Sequence, residues 1–134
     1  MENYAIGKTT DTKGNNMEKA VIITTQGEKS IVEFEKGNSY DLLRDTVGGL
    51  IECVTLTDKG NVDMWLNEEG KVIGLPQNPI ATALWDDLYP DTDFMVGDII
   101  LTQSDDEGET IGLTDEQVQF FMSYTRNLTL LGHL

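Results

Sequence analysis

One histidine, one cysteine and nine basic residues are what this 134-residue chain has least of, and each scarcity removes a class of chemistry. The histidine, His133, sits at the fraying C-terminal end, so a Ser-His nucleophile pair or a histidine-based zinc site has nothing to be built around. Cys53 has no partner for an internal disulfide or for an all-cysteine metal site. It stands in the strand-like run LIECVTL and is expected to be a buried, inert thiol. No segment ends in the Gly-Lys-Ser/Thr of a phosphate-binding loop, and VGGL reads as a helix end instead of a helix start. Apolar runs stay well short of the ~18 residues that span a bilayer, and the first residues lack a signal-peptide apolar core. The expectation is a soluble, cytoplasmic protein.

Basic residues are few against 24 acids, giving a net charge of −15 and a pI near 4.1. Direct binding of nucleic-acid phosphates needs a basic face, and anionic membranes repel such a chain, so neither is expected as a partner. The distribution sharpens the point. Residues 72–125 contain eleven acids and no Lys or Arg. Self-repulsion in that half costs some stability and speeds encounter with basic partners. Asp86, Asp87, Asp91, Asp93, Asp105, Asp106, Glu107 and Glu109 are the candidate contacts for a host protein with a basic surface, such as a nuclease or a nucleic-acid-binding protein. A merely solubilising acidic surface is the competing reading.

The acids do not fall into metal spacing. An EF-hand loop needs a sixth-position Gly with acids at fixed offsets, yet centring one on Gly108 puts Gln103 first and Thr114 last, and centring one on Gly70 puts Trp65 first. No spacing singles out a paired-carboxylate site. No metal or cofactor is therefore expected, and an enzyme is the least favoured class.

What is present is a foldable single domain: 39% hydrophobic residues and enough length for a core. Residues 1–16 are polar and aperiodic and read as a flexible tail before a domain at 17–134. AVIITTQ and KSIVEFE flank a Gly27-Glu28 hairpin signal. SYDLLRDTVGG reads as a helix capped by Ser39 and stopped at Gly48-Gly49. LIECVTLT, the turn DKGN, and a second hairpin of VDMWLN and KVIGL around NEEG follow. In NPIATALWDDL, Asn78 is a candidate N-cap with Pro79 at the first helical position. DFMVGDIILTQ is a strand, SDDEGET an acidic turn, ETIGL a short returning strand, and Thr114 caps a final helix whose apolar stripe is Val118, Phe121, Met122 and Thr125. The order is ββαβββαβ(β)α, an α+β domain with a mainly antiparallel sheet and two or three short helices.

VGGLIECVTL, WLNEEGKVIGLPQNPIATALW and MVGDIIL together resemble a small uncharacterised domain family of phages, plasmids and conjugative elements that has no assigned activity. With the AVIITTQGEKSIVEF start, the resemblance covers roughly residues 17–101. Its pattern falls here on Asn67, Glu68, Gly70, Leu75, Pro76, Asn78, Ala81 and Thr82. Folding accounts for these residues: Gly70 for a positive-φ turn, Asn78 as a cap, Ala81 and Thr82 for close helix–sheet approach. The resemblance implies a mobile-element protein in a bacterial host's cytoplasm, and the company such proteins keep implies counter-defence of an anti-restriction or anti-CRISPR type. The expected function is a non-enzymatic acidic protein that binds and inhibits a host protein as a nucleic-acid mimic. The alternative is a small-molecule or nucleotide-sequestering module using Trp65, Asn67, Lys71, Asn78, Thr82 and Trp85. A structural phage component is the second alternative.

Overall fold

The computed structural model describes residues 17–125. Residues 1–16 and His133, both subjects of the sequence reading, lie outside the described residues. The elements are β1 (Met17–Ile23), β2 (Lys29–Glu35), α1 (Tyr40–Val47), β3 (Ile51–Leu56), β4 (Val62–Asn67), α2 (Pro79–Leu88), β5 (Ile99–Ser104), β6 (Thr110–Ile111) and α3 (Asp115–Ser123). Every strand pair is antiparallel, in the order β2-β1-β5-β4-β3 with β6 beside β5. The fold is α+β.

Two local hairpins flank one distant strand. β1 and β2 join through Gly27, whose φ of 86° is the left-handed conformation that a side chain resists. β3 and β4 join through a 3₁₀ turn at Thr57–Lys59 that ends on Gly60 and Asn61, both at positive φ. β5 then pairs with β1 on one side and β4 on the other, and Ile99, Ile100 and Leu101 are fully buried there.

Alternation along the strands divides the core into two layers. Val21, Ile23, Leu56, Val62, Met64, Ile99 and Leu101 face Ala81 and Leu84 of α2 and Val118 and Phe121 of α3. Ala20, Val32, Phe34 and Ile100 face Leu42 and Leu43 of α1. Truncating a side chain as enclosed as Phe121, at 1% exposure, costs about 3–5 kcal/mol.

The caps of α2 and α3 follow the sequence. Asn78 Oδ1 accepts from the Ala81 N–H at 3.0 Å, with Pro79 opening the helix. Thr114 and Gln117 form a reciprocal capping box on α3. Ser39 occupies the cap position of α1 without a side-chain bond, and Gly48 closes that helix at φ 82°.

Several local expectations fail: the strand expected from Asp93 begins only at Ile99, and α3 ends at Ser123, leaving Thr125 exposed beyond its apolar stripe. Lys71–Leu75 is a coil of turns, not a strand: Ile73 N–H donates to the Glu69 carbonyl and Leu75 N–H to that of Gly70. Gly70 itself is not at positive φ. It is there for space, because a Cβ would sit 2.8 Å from Val96 Cγ2. Cys53 is exposed, because eight-residue α1 is too short to cover the whole sheet face on which Cys53, Thr55 and Asp63 lie.

Candidate functional site

β3 ends the sheet order, and its alternation puts Glu52, Val54 and Leu56 on the α2 side. Leu56 is buried, but Val54 is only half-covered and Glu52 is exposed. The space beside them is a cleft of about 130 Å³. Val54, Leu66, Trp85 and Phe94 give it apolar walls, and Glu52, Glu68, Lys71 and Asp93 give it a charged rim.

Tertiary structure assembles this rim from distant segments. The coil after β4 brings Lys71 to Asp93, and its ammonium also lies 4.5 Å from the Phe94 ring centroid. The hydrogen bond from Lys71, ahead of that from the Phe94 N–H, holds the Asp93 carboxyl below the usual carboxylate range. The coil leaves Val72 (87% exposed) and Ile73 (58%) in solvent next to Phe94 (41%), a concentration of apolar surface that folding alone does not use. Among the described residues, neither Glu52 nor Glu68 is ion-paired.

The candidate ligand residues separate. Asn67, Lys71 and Trp85 line the cleft. Trp65 faces the opposite side of the sheet, packs near α1 and donates from Nε1 to Thr102 at 2.9 Å. Asn78 is fully buried and spent on structure: Nδ2 donates to the Ile23 and Gly97 carbonyls at 3.0 and 2.8 Å. Thr82 Oγ1 accepts from the Met95 N–H at 2.8 Å and fixes the start of the segment leading to β5. Asn67, 7% exposed, also serves the fold, donating to the Val47 carbonyl and accepting from the Glu69 N–H.

At this point the comparisons with known proteins bear on the site. A family model described as a domain of unknown function, DUF3846, matches residues 17–128. The chain belongs to the DUF3846 family. No curated protein and no solved structure matches it. The match begins where β1 begins and takes in every described strand and helix, so the cleft lies wholly inside the DUF3846 domain.

The acidic candidates occupy two places on this DUF3846 fold. Asp105, Asp106, Glu107 and Glu109 form the β5–β6 turn, where the Asp105 carboxylate accepts from the Glu109 and Glu107 N–H groups and is held below its ordinary pKa, first by the Glu109 bond. That bonding fixes the turn and leaves Asp106, Glu107 and Glu109 exposed. Asp86, Asp87, Asp91 and Asp93 lie at the end of α2 and in the loop after it. Asp87 meets Lys59 at 3.3 Å and accepts from the Tyr124 hydroxyl. Asp93 is committed to Lys71, so the turn carries the less encumbered charge.

Glu52, Val54 and Phe94 were absent from the sequence candidates. One signal was available: in IECVTL, Glu52 shares its phase with Val54 and Leu56, and an acid in the core-facing phase marks a strand end that nothing covers. The pairing of Lys71 with Asp93 and Phe94 has no local signal.

On the opposite face, Asp63 is buried at 6% exposure and accepts from the Thr55 hydroxyl at 3.3 Å and from that of Ser104. Loss of water around the Cys53 sulfur, followed by the Asp63 charge, pushes that thiol up to about 12 although the residue as a whole is exposed. A thiol so placed stays protonated and is a poor nucleophile.

Proposed function

We propose that this domain is a non-enzymatic acidic binding protein of a phage or other mobile element, acting in the bacterial host cytoplasm. It engages a basic surface on a host protein, a nuclease or a nucleic-acid-binding protein, as a nucleic-acid mimic in counter-defence of the anti-restriction or anti-CRISPR kind. The observation that carries this reading is the fixed β5–β6 turn, which presents Asp106, Glu107 and Glu109 in solvent within a half of the chain that has no base between Val72 and Thr125. Carboxylates held on a rigid turn attract a basic groove without first losing conformational freedom.

The test is capture of the partner from host lysate at low and high salt, then titration with that partner purified. Binding that falls steeply with salt, and is abolished by combined Asp106→Lys, Glu107→Lys and Glu109→Lys, is expected. Binding indifferent to both salt and charge reversal refutes it. The small-molecule reading is weaker. The cleft's 130 Å³ is below the roughly 300–1,000 Å³ of ordinary ligand pockets. Its rim of Glu52, Glu68 and Asp93 also repels an anionic nucleotide.

A further inference from the structure

We propose that the open edge of β3, with the cleft behind it, receives an extended basic segment of the partner as an added strand. This rests on the partner being basic, as above, and adds to the contact at the β5–β6 turn a second one, where a single extended segment of that partner docks.

The Leu50 carbonyl accepts from the Glu68 N–H at 2.8 Å, and alternation therefore turns the N–H and C=O groups of Ile51, Cys53 and Thr55 away from β4. Among the described residues no other strand pairs with them. Folded proteins blunt such an edge with charged side chains, proline or a bulge. β3 has no lysine or proline and pairs with β4 without interruption; its one charge, Glu52, deters strands that bring no opposite charge and admits a basic one.

The side chains beside the edge define the occupant. A strand laid along β3 turns alternate residues toward the α2 side, over Val54 and Glu52. An apolar residue opposite Val54 enters the cleft against Trp85 and Phe94. A Lys or Arg two positions away lies by Glu52 and Glu68, the carboxylates that no described cation neutralises. Charge also argues against a second copy of this chain, whose edge would bring Glu52 to Glu52 at a net charge of −15 per molecule. The other edge, β2, is a poorer match. It carries Lys29, whose ammonium donates to the Met122 and Tyr124 carbonyls at the end of α3, and Lys36 follows it.

The probe is a fluorescein-labelled, end-capped peptide, Thr-Lys-Thr-Leu-Thr-Lys-Thr, titrated by anisotropy and followed by amide exchange on the full chain. Binding should slow exchange of the Ile51, Cys53 and Thr55 amides about tenfold or more while leaving Glu52 and Val54, already bonded to β4, little changed. N-methylation of one alternate set of peptide nitrogens should abolish binding, and methylation of the other set should not. Glu52→Lys with Glu68→Lys, both at exposed positions, should weaken it at least tenfold, whereas the triple reversal in the β5–β6 turn should leave it within about twofold.

Equal tolerance of both methylation patterns, no change at the β3 amides, or no binding overturns strand addition. So does a dimer in sedimentation whose β3 amides are already slow without peptide. If the purified partner binds with steep salt dependence but is indifferent to the Glu52/Glu68 double variant, strand addition fails and the basic-partner reading survives. If partner binding ignores salt altogether, that reading fails first.

Discussion

Replacing Asn78 should show how far one amide holds this fold together. Its side chain closes three bonds in a fully buried position: Oδ1 to the Ala81 N–H that opens α2, and Nδ2 to the carbonyls of Ile23 and Gly97, which end β1 and precede β5. In Asn78→Ala the lost cap costs about 1 kcal/mol. Each carbonyl stripped of a buried donor costs about 1–1.5 kcal/mol more, so the total is about 3–4 kcal/mol. With a urea slope of about 1.3 kcal/mol per M for a domain of this size, the unfolding midpoint falls by roughly 2–3 M. Asn78→Asp separates the two roles. It keeps the cap acceptor but aims a buried carboxylate at two carbonyl oxygens, which raises its folded pKa above the unfolded value of about 3.9. A raised folded pKa means stability that is present below the unfolded pKa and lost as pH rises through the folded one. The Asp variant should therefore be closest to the parent near pH 4, and fall below Asn78→Ala by pH 7. Urea denaturation at several pH values measures both. An Ala cost under about 1 kcal/mol, or an Asp variant whose deficit is flat from pH 4 to 8, refutes the reasoning.

Three further perturbations test packing and reactivity. Gly70→Ala places a methyl 2.8 Å from a side-chain atom of buried Val96, and should cost about 1–3 kcal/mol by thermal or urea melting. Gly112→Ala should cost more, above about 3 kcal/mol, because its Cβ meets the Lys19 backbone nitrogen at 2.5 Å and backbone cannot turn aside. Cys53, though exposed, should react with iodoacetamide at pH 8 about 100-fold more slowly than in urea, and Asp63→Asn should recover about tenfold of that; native reactivity equal to the unfolded rate refutes the raised thiol pKa.

Features with a short-range signature were legible in the chain. Asn78-Pro79 announced a capped helix because cap and fixed φ lie in adjacent residues. Gly27 and Gly48 announced a hairpin and a helix end for the same reason. Cys53 was misread because alternation gives two faces but not which is covered, and that depends on the reach of α1. Lys71–Leu75 was misread because Val72 and Ile73 favour strands, while the coil is set by Leu75 and Gly97 packing and by Gly70 against Val96. The candidate site was half legible. Lys71 and Trp85 stood out as one of few cations and a rare aromatic, and Glu52 left only its phase in IECVTL as a sign, whereas Phe94 and the open edge emerge only when strands from separate segments are ordered in space.

The seat of β5 between β1 and β4 sets the order in which the chain completes itself during synthesis. Both hairpins emerge from the ribosome early and close on local contacts, each keeping one inner edge bare and apolar. No strand pairing links them until Ile99–Ser104 has been made, and then a single strand seals both edges at once. A nascent chain halted before Ile99 thus holds two bare edges awaiting a keystone, and chaperones meet this protein first in that form.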